Sequence, residues 1–455
     1  MKTRLLLVLL GATIATLAPA SLLVRAAAQA PVPRAAHAAQ PEDLGRLVDE
    51  VASEVEKLRG WSFKRPVKRQ RTSIEEARRD LRRNIEKALP PDRRDKLGVF
   101  LATAGLVPSG YDFSQTVLSL LEQQVAGYYE PETATLHIVD RQGGTPPFIE
   151  RMILAHELTH ALDDQYADLG SLTGKPGERT EDMDIVVTSL AEGSATALML
   201  QHMLRAQAAG RVDAAQLTQY VAQEMERARV FEKLPRYFSA MFGSYVVGAG
   251  FLAGGDMGAL LSMPDNRVIG DRFLAARRAL PKSSEQVLHP QKYWDDAKRD
   301  EPVVVDDGAV DKWLASPGWW VVHRDTIGEL LTAVLTQPRN AAAGLAVMQT
   351  AASWTNPGAA GWGGDRFYLL ASGTTREDAE RSLKDPRGVW VTVWDTAAER
   401  NEFTAALDKG NPPPGYAVSP IGDTGAIVFI GFPKGERDSY LGKVTNLDQL
   451  LAARR

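Results

Sequence analysis

A chain of 455 residues that is 44% apolar and 24% charged is long enough for two or three well-buried domains and has the composition of a folded protein. Its net charge of -4 leaves no basic footprint for nucleic acid. With no cysteine, there can be no disulfide, thiolate ligand, cysteine nucleophile or lipidated N-terminal cysteine, so only His, Asp and Glu remain to hold a metal.

Residues 1–30 read as an export signal, with Lys2 and Arg4 before an apolar stretch over 5–18 and a small-residue cleavage site at Ala18-Pro19-Ala20 or Ala28-Gln29-Ala30. The second site would leave Pro31 just after the cut. An uncleaved anchor is the alternative, because 5–24 carries no charge, although Gly11, Thr13, Thr16 and Pro19 interrupt it. Both readings put the body of the protein outside the cytoplasm, in the periplasm, at the cell surface or in the medium; the second adds membrane attachment. An Ala/Pro-rich tether over 31–40 leads into a helical N-terminal region, 41–110. Apolar residues at helical spacing predict a helix over 44–58, and 66–72 reads as a short strand. Ser73-Ile74-Glu75-Glu76 has the spacing of a capping box and opens a helix to about Leu89, and a third helix spans 92–104, closed by Gly105. The arginines at 78, 79, 82 and 83 are interspersed with acids and read as a solvated helix face.

The segment 111–300 carries the chemistry. A helix is expected over 112–124, then two strands, 125–129 and 135–139, around the turn Glu130-Pro131-Glu132-Thr133-Ala134. Tyr128 and Tyr129 would point into a site or pack on the sheet, and His137, alternating with Leu136 and Ile138, is expected at the surface. A helix over about 147–166 contains His156-Glu157-Leu158-Thr159-His160. Two histidines four residues apart lie one turn apart on one helix face and can bind a single zinc ion, and Glu157 turns toward the place of a metal-bound water as general base. A zinc site needs a third protein ligand, with the fourth position left for water. Glu192 is the best candidate: it lies 32 residues after His160 in a second helix, about 181–205, and Ala191, Gly193 and Ala195 beside it permit close approach. Asp164, one turn past His160, is a possible partner that orients a ligand or its neighbours. His202 lies off the Glu192 face and is not counted as a ligand.

His156-Glu157-x-x-His160 followed by a helical glutamate resembles the zincin metallopeptidases of the gluzincin type, and the pattern Val125-Ala126-Gly127-Tyr128-Tyr129 before and Ala191-Glu192-Gly193 after looks like that of poorly characterised secreted bacterial zincins. The resemblance covers roughly 110–205. It implies a zincin-like core with an edge hairpin beside the cleft, one catalytic Zn2+ on His156, His160 and Glu192, Glu157 as base, and a peptide or protein as substrate. The sequence departs from the best-known members in having Thr196, not Asp, four residues after Glu192. Such sites often use a Tyr or His from beyond the ligand helices to stabilise the oxyanion, and Tyr245 and His289 are the two candidates.

Beyond this, 213–232 reads as a polar amphipathic helix and 238–255 as a buried helix or cleft wall in preference to a membrane span. From 301 onward β-rich runs at 367–371, 389–394 and 426–432, with a helix over 396–409, predict a C-terminal α+β lobe with an antiparallel sheet. Gly361-Trp362-Gly363-Gly364-Asp365-Arg366 reads as a tight turn that packs Trp362 into the core, in preference to one that shapes a binding surface. The expected fold class is therefore α+β and predominantly helical. The expected function is an exported zinc-dependent hydrolase; the alternative is an exported, non-catalytic binding or scaffold protein that keeps the zincin fold.

Overall fold

The computed structural model describes residues 41–88, 90–112, 115–116, 127–140, 146–172, 179–213, 215, 217–219, 222, 234–338 and 354–452. The expected signal, the tether and most of the expected helices over 112–124 and 213–232 lie outside the described residues. The fold is mixed α+β, about 55% helical, which agrees with the coarse expectation.

Helix α1 (Pro41–Arg59) leads to strand β1 (Lys68–Ser73), helix α2 (Ile74–Ala88) and helix α3 (Pro91–Thr103). The capping box forms as the sequence predicts: the Ser73 backbone N–H donates to Glu76 at 3.0 Å, and Glu76 N–H donates to Ser73 Oγ at 3.2 Å. Strands β2 (Gly127–Glu130) and β3 (Thr135–Asp140) make the expected hairpin, and β1 adds to it in parallel, giving the order β1-β3-β2. His137 is a correction. It is buried, not at the surface, because β1 and α2 cover that face of the hairpin; its ring stacks on Tyr128 at 4.4 Å and its Nδ1 meets Thr72 Oγ1 at 2.9 Å.

Helix α4 (Pro147–Ala167) starts with proline at its first position and ends at Asp168, in left-handed conformation with φ 46°. Helix α5 (Glu181–Ala208) begins on the Thr180 side-chain cap and is apolar nearly all round, as a helix enclosed by others must be. It is long and apolar enough to cross a membrane, yet it is buried inside this fold. Helix α6 (Arg236–Leu252) takes up most of the apolar 238–255 stretch and packs along α5, so the buried-helix reading of that stretch holds. The two helices touch backbone to backbone: a methyl on Gly193 would come within 2.2 Å of Gly248 C, and one on Gly248 within 1.8 Å of Ser189 O. Helix α7 (Arg267–Arg278) and the short α8 (Ser284–Leu288) close over α5.

The C-terminal region adds α9 (Asp307–Leu314), β4 (Trp319–Asp325), α10 (Gly328–Thr336), β5 (Trp362–Ser372), β6 (Lys384–Trp394), α11 (Ala397–Lys409), β7 (Tyr416–Ile421), β8 (Gly425–Ile430) and α12 (Lys434–Leu441). Its strands form one antiparallel sheet in the order β4-β5-β6-β8-β7. The edge strands β4 and β7 escaped the sequence reading. Alternate residues serve two cores: Phe367, Leu369, Trp390 and Val428 join the main core shared with the helices, while Tyr368, Leu370, Val391 and Phe429 pack with Trp313 and Tyr440 on the other face. With both faces covered, the strands read as unbroken apolar runs. Trp362 is buried, as expected, but it opens β5 instead of preceding it, and its indole N–H donates to Asp365 at 2.8 Å. The same carboxylate accepts the Ile327 and Gly328 N–H groups at the start of α10, which fixes that helix to the sheet.

Candidate metal centre

Helical spacing brings His156 and His160 to one face of α4, and the crossing of α4 with α5 sets Glu192 opposite them. The three donor atoms form a near-equilateral triangle: His156 Nε2 to His160 Nε2 3.1 Å, His156 Nε2 to Glu192 Oε2 3.2 Å, and His160 Nε2 to Glu192 Oε2 3.6 Å. Tetrahedral coordination with bonds of about 2.0–2.1 Å requires ligand atoms about 3.3–3.4 Å apart, so this spacing fits a zinc ion. The donor set of two imidazole nitrogens and one carboxylate oxygen could hold a metal ion, and is one that zinc takes. All three side chains are fully buried, at 0% exposure.

Burial keeps the histidines neutral, the form in which they ligate. It lowers the pKa of His160 to about 4, against the opposing charge of Asp163, and lowers that of His156, against the Glu192 hydrogen bond. The same desolvation raises Glu192 to about 7. Glu192 Oε1 and both histidine Nδ1 atoms are buried without a hydrogen-bond partner among the described residues. An unpartnered carboxylate oxygen in a dry site, beside three converging donor atoms, is an arrangement a cation would stabilise.

Glu157 is 2% exposed, and burial, followed by the charge of Glu192, pushes its carboxyl well up. Its Oε2 accepts the Tyr129 backbone N–H at 2.9 Å. That N–H points away from β3, so the edge of β2 that has no strand partner among the described residues faces the base. A methyl on Gly127, at the start of β2, would lie 3.4 Å from Ile153 and 4.0 Å from Glu157 Cγ, so the strand passes close over α4. Tyr129 therefore belongs to the site through its main chain, which no side-chain pattern announces.

The remaining candidates divide. Asp164 does not touch a histidine: it accepts the Tyr129 hydroxyl and the Leu169 N–H, each at 2.9 Å, and so steadies the strand that holds Glu157. Tyr245, on α6, lies near enough to Glu192 to influence its carboxyl, and its ring lies 6.4 Å from that of His156. His289 is instead engaged with Glu329 Oε1 at 2.9 Å, an oxygen that also accepts the Thr355 hydroxyl. His202, not counted as a ligand, pairs with Glu54 of α1 at 2.6 Å.

Residues 320–411, from β4 to the end of α11, match a family described as a domain of unknown function (DUF8575). They lie in the C-terminal sheet and omit His156, His160 and Glu192. No curated protein and no solved structure matches the chain.

Proposed function

We propose that this protein is an exported zinc-dependent metallohydrolase with a gluzincin-like core, and that its substrate is a peptide. The observation that carries the reading is the triangle of His156, His160 and Glu192 donor atoms at 3.1, 3.2 and 3.6 Å, with Glu157 the next residue to His156 on the same helix. A zinc ion held there supplies Lewis acidity and a water acidified toward neutral pH. The chain's own groups supply the rest. Glu157, held by the Tyr129 N–H, takes the proton of the attacking water and returns it to the leaving amine. Tyr245, a protonated phenol at neutral pH, stands as a donor near Glu192 for the developing oxyanion. The preference for peptide rests on the sequence resemblance; the side chains alone support metal-assisted hydrolysis.

One observation favours the alternative of a non-catalytic exported binding or scaffold protein: His156, Glu157, His160 and Glu192 are all at or below 2% exposure. Zinc content and cleavage of a mixed peptide library, measured together for the wild type, Glu192→Ala and Glu157→Gln, separate the two. The enzyme reading expects about one zinc per chain, lost in Glu192→Ala, kept in Glu157→Gln, with cleavage by the wild type alone. Zinc without cleavage supports the scaffold, and a wild type that takes up no zinc refutes the metal site.

A further inference from the structure

Arg59 is the last residue of α1, and its guanidinium is wholly buried, at 0% exposure. It lies over the Trp61 ring at 5.1 Å, and its hydrogen-bond partners all lie more than a hundred residues away. Its Nη2 donates to both oxygens of Asp163, at 2.6 and 2.8 Å, and to Ser194 Oγ at 2.6 Å, while Nη1 donates to Asn266 Oδ1. Ser194 in turn donates to Asp163 Oδ2 at 2.6 Å, closing a three-membered ring of hydrogen bonds. Asn266 extends it, donating to Gln201 of α5 at 2.8 Å.

The positions matter more than the number of bonds. Asp163 stands three residues after His160 on α4, and Ser194 stands two residues after Glu192 on α5. One cation thus ties together the two helices that carry the three donor atoms, within a turn of those atoms. Burying an arginine among packed helices is unfavourable unless its hydrogen bonds are well made, and apolar side chains would hold the helices together as tightly. What the guanidinium adds is direction: a single nitrogen, Nη2, holds both Asp163 oxygens and Ser194 Oγ, which fixes them relative to one another and so sets the register of α4 on α5. The donor triangle tolerates only a fraction of an ångström of slip.

We propose that Arg59 is a positioning residue of the metal centre: through Asp163 and Ser194 it locks the two ligand helices in the register at which His156, His160 and Glu192 converge. Helix α1 is then part of the metal site, not an accessory. The inference rests on the zinc reading above. Its test is zinc affinity, measured by competition with a chromophoric chelator, together with the visible spectrum of the cobalt(II)-loaded protein and the denaturant midpoint of the metal-free protein. Arg59→Met leaves Asp163 buried and unpaired, so the deciding variant is Arg59→Met with Asp163→Leu, which removes both charges. The expected result is a double variant with its midpoint close to that of the wild type, zinc binding weakened about 10- to 100-fold and an altered cobalt spectrum. A folded double variant with wild-type affinity and spectrum overturns the proposal and leaves Arg59 a stabilising residue. A wild type that binds neither metal overturns the zinc reading itself, and the positioning role with it.

Discussion

Replacing Gly248 by alanine probes the joint on which the site hangs. The added methyl would sit 1.8 Å from Ser189 O, and below 3.0 Å such contacts are essentially not found, so α5 and α6 must part by at least about 1.2 Å. No flexible side chain is available to yield, because the obstacle is main chain. Overpacking of this kind costs about 1–3 kcal/mol, against which the better helix propensity of alanine returns about 1 kcal/mol. Tyr245 lies one turn before Gly248, and a shift of that size moves it away from Glu192, which should weaken zinc binding about 10-fold or more. Gly250→Ala is the matched control. Its methyl would meet nothing nearer than Met257 Sδ at 3.8 Å, so it should gain the propensity term with zinc binding unchanged. Urea unfolding and chelator competition on both variants give the answer. If Gly248→Ala is as stable as Gly250→Ala and binds zinc as the wild type does, the backbone contact does not set the geometry of the site.

Three other predictions follow from buried polar groups around the same helices. Gly328 has φ 74° and would bring a methyl within 1.7 Å of Asp182 Oδ1, so Gly328→Ala should lower stability by about 1–3 kcal/mol in denaturant unfolding; a neutral effect would show that the α10 entry can relax. Burial raises Asp182 to about 8 and Asp365 to about 6. In each the fold holds a proton that the unfolded chain releases near pH 4, so stability is full below that pH and falls as pH rises, to about 6 for Asp365 and about 8 for Asp182, by up to about 1.4 kcal/mol per unit for one group. Asp182→Asn should flatten that fall, and an unchanged pH profile would show that Asp182 is ionised in the fold. Tyr129→Phe removes the hydroxyl that Asp164 accepts and should destabilise the protein by about 0.5–1.5 kcal/mol while leaving the main-chain bond to Glu157 in place; loss of zinc in this variant would contradict the division of roles drawn here.

The sequence by itself determined what depends on neighbours along the chain. A four-residue spacing puts His156 and His160 on one face whatever surrounds the helix, and the Ser73 capping box and the β2–β3 turn are equally local. Small residues around Glu192 announced a close helix approach, and the contact of Gly193 with Gly248 is that approach. Tertiary structure alone decided the rest, because those contacts join residues with no shared periodicity. Arg59 reaches Asp163 and Ser194 across 104 and 135 residues, the Tyr129 main chain holds Glu157, and Asp164 serves a tyrosine instead of a histidine. Alternation assigned His137 a face of its strand, but whether that face meets solvent depended on α2 and β1 arriving to cover it. A sequence pattern gives a side chain its direction; only the packing of other elements says what waits there.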